Sequence, residues 1–212
     1  MRSIIIGAGT YGEVYLAYLQ DAGVEIVGFV DDNPELEGKS VRSFPVLGKI
    51  EELKHLKQEF NIEAAYCPIG NNKLRVKFLE FAKFLGCKTP SFIHPSVIMH
   101  SSVIIGEGVY ILLGAKIMPY TVIDDYVMIS MNVLVAHHNH IHKGTFISTG
   151  VNVGALINIY ENSYIGIGAT IMTGIHKLGE NCLVGAGSVV IHDVPDNAVV
   201  AGVPAKVIKY ME

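Results

Sequence analysis

Between Ile93 and Ile171 the apolar pattern of the chain repeats with a period of six. Taking every sixth residue gives Ile93, Met99, Ile105, Ile111, Ile117, Ile123, Ile129, Val135, Ile141, Ile147, Val153, Ile159, Ile165 and Ile171, all aliphatic or Met. Four residues beyond most of these stands a small or β-branched residue, among them Val97, Val109, Ala115, Thr121, Val127, Thr145, Ser163 and Ala169. An α-helix repeats its buried face every 3.6 residues and a strand every two, so neither alone accounts for the spacing. A solenoid of short strands does, with three strands to a coil and each fourth strand stacked over the first. One inward side chain per strand then fills a narrow core, a small residue fits beside each bend, and the other positions face outward.

The pattern slips once. After Ile171 it resumes at Leu178, Val184 and Val190, which puts an extra residue near Gly174–Lys177 and predicts an outward bulge there. The ending, with Asp193-Val194-Pro195 and Gly202-Val203-Pro204-Ala205-Lys206, is unlike the coils. It reads as a cap over an end that would otherwise expose strand edges and core.

The first 90 residues follow a different rule. A β-branched run at residues 2–7 leads into Gly7-Ala8-Gly9-Thr10-Tyr11-Gly12, and an amphipathic helix should follow with Val14, Leu16, Ala17 and Leu19 on its buried side. A second strand over Glu25–Val30 ends in Asp31-Asp32-Asn33-Pro34. Strand, glycine turn, helix, strand and a following acid form the dinucleotide-binding fingerprint, in which glycines let backbone N–H groups approach a phosphate at a helix N-terminus. A helix near Ile50–Phe60, a strand near Ala64–Pro68 and a helix near Lys73–Leu85 complete about half of a doubly wound domain, too little for a full nicotinamide site. The same elements also suit a purely structural βαβ unit. Gly70-Asn71-Asn72 should lie at the same sheet edge as the Gly7 loop, with Arg75 either reaching a phosphate or standing solvated on its helix. The expected division is a Rossmann-like α/β domain at 1–90 and a solenoid with its cap at 91–212.

Composition narrows the partners. Apolar residues make up 50% of the 212 and charged residues 17%, which suits a solenoid whose flanks are covered in an oligomer. A net charge of −4 argues against a nucleic-acid partner, whose binding needs clustered Lys and Arg. The three cysteines, Cys67, Cys87 and Cys182, have no framework spacing and suit a reducing compartment. The opening apolar run is short for a signal peptide and no run approaches a membrane span, so the expected setting is cytoplasmic, away from the membrane.

Candidate chemistry concentrates at His137, His138, His140 and His142. His137 and His138 follow the inward Val135 and should project from the outer wall, and Asn139 fills a slot held elsewhere by a small residue. Departures from local regularity gather at functional sites. The His137–His138 pair is therefore the candidate catalytic group, while His140 and His142 read as solvated. A neutral imidazole serves as a general base. Metal ligation needs three or four converging donors, and no further Cys or His is placed to complete a sphere, so no metal is expected.

With those residues in view, the chain resembles the sugar acyltransferase family of hexapeptide-repeat proteins, which includes nucleotide-4-aminosugar N-acetyltransferases and sialic-acid O-acetyltransferases. The resemblance rests on Gly7-Ala8-Gly9, Gly28-Phe29-Val30-Asp31-Asp32-Asn33-Pro34, Ile69-Gly70-Asn71-Asn72 with Arg75, Ile93-His94-Pro95-Ser96, the His137 coil, and the segment from Gly185-Ala186-Gly187 to Lys206. It implies a left-handed parallel β-helix, a homotrimer, and active sites between neighbouring β-helices with acetyl-CoA along the seam. It implies that a nucleotide-activated sugar is held through Gly9, Thr10, Tyr11, Asp31, Asp32 and Gly70. It further implies His137 as general base and acetyl-CoA contacts at Phe146, Ile167 and Ala186. The expected reaction is N-acetylation of a 4-amino sugar in bacterial surface-glycan biosynthesis; a sugar O-acetyltransferase and a non-catalytic nucleotide-sugar-binding trimer are the alternatives. Three positions depart from the family. His138 stands where a Glu or Asp usually follows the base, Phe146 replaces a second histidine, and Tyr11 replaces another. Asp124 and Asp125, one coil before His142 and Lys143, are candidates for the missing negative charge.

Overall fold

A computed structural model describes residues 1–211, which divide into two compact units, Met1–Pro90 and the remainder from Ser91. In the first unit, β1 (Arg2–Ile6), β2 (Glu25–Val30), β4 (Phe44–Gly48) and β5 (Ala64–Tyr66) are parallel, and β3 (Ser40–Val41) runs antiparallel at the edge, in the order β3-β4-β2-β1-β5. The helices are α1 (Thr10–Asp21), α2 (Leu53–Glu59, after a 3-10 turn at Ile50–Glu52) and α3 (Asn72–Phe84). Sequence reasoning overlooked the β3–β4 hairpin. Its turn is made by Arg42 and Ser43, both at positive φ, without the Asn-Gly signal that usually marks such turns.

The buried side of α1 is Gly12, Tyr15, Leu16 and Leu19; Val14 and Ala17, expected inside, are exposed. The reason is Gly12. A Cβ there would lie 2.0 Å from the Gly7 carbonyl oxygen, so this face of the helix lies directly against the glycine turn. Residues 12, 15, 16 and 19 then form the contacting stripe at helical spacing.

The second unit is a left-handed parallel β-helix of two-residue strands. One wall stacks Phe92–Ile93, Tyr110–Ile111, Met128–Ile129, Phe146–Ile147, Tyr164–Ile165 and Leu183–Val184. A second stacks Ile98–Met99, Lys116–Ile117, Leu134–Val135, Asn152–Val153, Thr170–Ile171 and Val189–Val190. The third stacks Ile104–Ile105, Val122–Ile123, His140–Ile141, Asn158–Ile159 and Lys177–Leu178. From Ile111 to Ile171 every sixth residue is at most 3% exposed, as the period requires. Burying one such side chain contributes roughly 1.5–3 kcal/mol, so the column of inward aliphatics dominates the stability of this unit. The slip is present: Asn158 pairs with Lys177, nineteen residues on, where His140 pairs with Asn158 eighteen on, and Met172, Thr173 and Gly174 are exposed. At the end, Ala198–Gly202 extends the first wall and Ala205–Tyr210 folds back on it antiparallel, closing the edge.

The bends obey a second register. Gly108, Gly114, Tyr120, Tyr126, Asn132, His138, Gly144, Gly150, Leu156, Asn162 and Gly168, every sixth residue, all have positive φ. Gly and Asn are the residues that enter this left-handed region most readily, and most of these positions carry one or the other.

Candidate active site

The bend between the second and third walls carries Ala136-His137-His138-Asn139. Asn139 is buried, and its Nδ2 donates to the carbonyls of Ala136 (2.6 Å) and Gly154 (2.9 Å) while its Oδ1 accepts from the Ile157 amide at 2.9 Å. Thr121 Oγ1 donates to the same Ala136 carbonyl at 3.2 Å. The side chain that broke the small-residue rule therefore ties its own coil to the next, Thr121 ties in the coil before, and together they fix the backbone from which the histidines project.

His137 Nδ1 and His138 Nδ1 lie 3.0 Å apart with their rings perpendicular. One of the two nitrogens carries the shared proton and the other accepts it. The ring of Tyr120, one coil earlier, lies 4.7 Å from that of His138. His138 is exposed and His137 half-buried, so the pair faces outward on a rigid bend.

The neighbouring histidines are not simply solvated. Asp124 Oδ1 bonds His140 Nε2 at 3.0 Å, Asp124 Oδ2 lies 3.4 Å from His142 Nδ1, and the two rings stack at 3.8 Å. Tyr160 stacks on the other side of His142 at 4.8 Å. Burial, with His140 beside it, holds the His142 imidazole below its usual value, against the pull of Glu161, Asp124 and Asn158. The expectation that Asp124 or Asp125 supplies the carboxylate for His137 is thereby corrected: Asp124 serves His140 and His142, and Asp125 Oδ1 accepts from the Glu107 amide at 2.8 Å. The side chains at residues 124, 140 and 142 do bring three donor atoms within 4.8 Å of one another. Imidazole lone pairs lie in the ring plane, however, and rings stacked only 22° from parallel cannot both aim at one ion. The arrangement suits a hydrogen-bonded carboxylate–imidazole cluster.

In the first unit the glycine turn is held from both sides. The Gly7 amide donates to the Val30 carbonyl at 2.8 Å, and a Cβ on Gly7 would lie 2.9 Å from Ile69 Cγ1, so the Gly7 and Gly70 loops meet as expected. Asp31 braces this edge: Oδ2 accepts from the Ala8 amide at 2.7 Å and Oδ1 from the Asn33 amide at 2.8 Å. Asp32 Oδ1 accepts from the Ile50 amide at 3.0 Å. Asn71 caps α3 through the Leu74 amide at 3.1 Å, whereas no side chain caps α1, where Gly9 is the N-cap and Thr10 and Tyr11 begin the helix. The open helix terminus suited to an anion is therefore that of α1.

Arg75 corrects both sequence readings. It is fully buried, and its guanidinium donates to the Ile69 carbonyl at 2.8 Å and to Asn72 Oδ1 at 3.0 Å. It secures the Gly70 loop from within the fold and is closed off from solvent. Beyond the carboxyl ends of β2 and β4 a cavity of about 650 Å³ is lined by Asp32, Lys49, Ile50, Glu51, Lys77, Phe78 and Phe81. Apart from Asp32 these residues were missed, because nothing in their spacing marks them until the fold brings strand ends and a helix face together.

Of the residues expected at acetyl-CoA, Ile167 (59% exposed) and Ala186 stand open on successive coils, joined where the Gly187 amide donates to the Ile167 carbonyl at 2.8 Å. Phe146 is 3% exposed and packs edge-on against Tyr164, on the first wall. None of the three cysteines forms a disulfide, and all are buried. Burial pushes the thiols upward, Cys67 to about 12 and Cys182 to about 11, so neither offers a thiolate at neutral pH. No helix among the described residues is long and apolar enough to cross a membrane.

Comparison with known proteins agrees with this fold. Residues 2–81 match the family described as the PglD N-terminal domain. GDP-perosamine N-acetyltransferase of Escherichia coli is 31% identical over 97% of the chain and 95% of its own length. A putative acetyltransferase of Schizosaccharomyces pombe and an Escherichia coli galactoside O-acetyltransferase, each 36% identical, are matched over only 43% and 47% of their lengths. Among solved structures, the acetyltransferase domain of PglB from Neisseria gonorrhoeae superposes with a TM-score of 0.89, at 32% identity over 98% of this chain and 99% of that one. PerB from Caulobacter crescentus, solved with CoA and GDP-perosamine, superposes with a TM-score of 0.84, at 31% identity over 99% of this chain and 98% of that one. A likeness that runs through both units places the chain in the nucleotide-aminosugar N-acetyltransferase family of hexapeptide-repeat proteins, and its reaction is acetyl transfer from acetyl-CoA.

Proposed function

We propose that the acceptor is the 4-amino group of a nucleotide-linked sugar and that His137 is the general base. The observation that carries this reading is the 3.0 Å contact between the Nδ1 atoms of His137 and His138. With the proton on His137 Nδ1 donated to His138, the Nε2 lone pair of His137 is left facing outward to receive a proton. His138 thus does for orientation what a carboxylate does elsewhere in the family, without adding a negative charge.

The neutral amine attacks the thioester carbonyl carbon and a C–N bond forms. His137 Nε2 takes the proton from the nitrogen, and backbone N–H groups of the coil hold the developing oxyanion. Collapse of the tetrahedral intermediate breaks the C–S bond. CoA leaves as its thiolate and recovers the proton from His137, so free thiol and amide appear together. No covalent acyl-enzyme is required, in keeping with the buried cysteines.

The nucleotide belongs at the edge formed by Gly9, Thr10, Tyr11, Asp31, Asp32 and Gly70. Its phosphates lie at the uncapped start of α1 and its nucleoside in the cavity lined by Asp32, Lys49 and Phe78. Ile167 and Ala186 line the path of acetyl-CoA. The working unit is a homotrimer: Ile98, Met118, Leu134, Met172 and Ile191 are all more than a third exposed along the second wall, as surface that a neighbouring protomer covers. The setting is the cytoplasm, where nucleotide sugars for surface glycans are made.

Incubation with acetyl-CoA and a panel of nucleotide sugars, followed by free-thiol release, tests this reading. The expected result is thiol and acetamido product with 4-amino sugars, GDP-perosamine among them, and none with their 4-hydroxy counterparts. Thiol release only with hydroxyl acceptors would make the protein an O-acetyltransferase, and none with any acceptor would make it a binding scaffold.

A further inference from the structure

Of the bend positions at positive φ, four carry neither Gly nor Asn: Tyr120, Tyr126, His138 and Leu156. Tyr126 is only 2% exposed and packs with the interior. The other three occupy the same bend on successive coils, eighteen residues apart. The His138 amide donates to the Pro119 carbonyl at 3.1 Å and the Leu156 amide to the His137 carbonyl at 3.2 Å, so they stand directly in line. Tyr120 is 60% exposed and Leu156 58% exposed. A large side chain in the left-handed region strains the backbone, and an exposed one returns little burial to offset that strain. The strain is concentrated on the one bend that carries His137.

We propose that Tyr120 is a positioning residue for the acetyl transfer, acting through His138. Its ring lies 4.7 Å from that of His138, tilted by 43°. Asn139 fixes the backbone of the bend through main-chain atoms alone and does not itself hold the His138 ring. The Tyr120 ring holds His138 so that Nδ1 faces His137 Nδ1, and this keeps the proton on His137 Nδ1 and the lone pair on Nε2. Without the ring, His138 swings away and His137 loses its fixed tautomer and orientation.

The inference rests on His137 as the base, so Tyr120→Asn is assayed beside His137→Ala. Tyr120→Asn installs a residue that other bends use at this φ. It raises Tm by about 2–4 °C and lowers kcat by about tenfold or more, with both KM values and the oligomeric state unchanged. Tyr120→Phe keeps the ring and keeps wild-type kcat. A Tyr120→Asn variant with wild-type kcat, or one that loses stability or oligomeric state along with activity, overturns the inference. Loss of kcat in Tyr120→Phe overturns it as well, because the hydroxyl would then be the active part. Wild-type turnover in His137→Ala instead overturns the assignment of the base itself.

Discussion

Replacement of His137 by Ala lowers kcat by about 10²–10⁴-fold, the usual worth of a positioned general base. The substitution removes only a half-exposed side chain from a bend whose backbone is fixed elsewhere, by Asn139 to Ala136 and Gly154 and by Thr121 to Ala136. The fold and both KM values therefore change little, and the loss appears in the chemical step. Thiol release under saturating substrates is the readout. Turnover within a few-fold of wild type would remove His137 from the mechanism, and the bent-histidine reading of the site with it.

The second large effect lies in the other unit. Gly12→Ala places a methyl group 2.0 Å from the Gly7 carbonyl oxygen and 3.4 Å from Phe29 Cε1. Neither neighbour is a flexible side-chain end, so α1 must move away from the turn. Overpacking of this kind costs about 1–3 kcal/mol, and the displacement opens the uncapped helix terminus proposed to hold the phosphates. KM for the nucleotide sugar then rises by about tenfold or more, each tenfold corresponding to about 1.4 kcal/mol. KM for acetyl-CoA, proposed to bind on the solenoid, stays as it was. A variant with lower Tm and an unaltered sugar KM would show that the Gly7 turn is only structural.

These two sites were legible in the sequence to different degrees, for physical reasons. The six-residue period is a one-dimensional record of a repeating cross-section, so the strands, the slip after Ile171 and the outward position of His137 could all be counted off. The register of the bends was equally present, as Gly or Asn three residues after most inward positions from Ile105 onward. It was overlooked because attention to the core hides the residues that make the turns. The role proposed for Tyr120 depends on that second register, so it emerged only with the backbone angles.

Other features depended on packing that no local pattern encodes. Arg75 looks like an ordinary helix cation until α3 is seen to seat it beneath the Ile69 carbonyl. Spacing put Asp124 one coil before His142 and left open whether its charge served the catalytic bend; residues one coil apart stack vertically, and Asp124 is bonded to His140 and His142 instead. The cavity at Lys49, Lys77 and Phe78 joins residues from a strand end and a helix face. The stripe on α1 was misplaced because apolarity pointed to Val14 and Ala17, whereas the close approach at Gly12 decides which side faces inward.

The central claim is geometric, that His137 Nε2 meets the acceptor nitrogen at the seam between protomers. The most direct measurement is a crystal structure of the oligomer with CoA and a nucleotide 4-amino sugar bound together. The account predicts the amine nitrogen about 2.6–3.2 Å from His137 Nε2, with His138 still paired to Nδ1 and the CoA sulfur beside the amine. An amine placed instead against the Asp124–His140–His142 cluster, or beyond reach of His137 in every protomer, would contradict it.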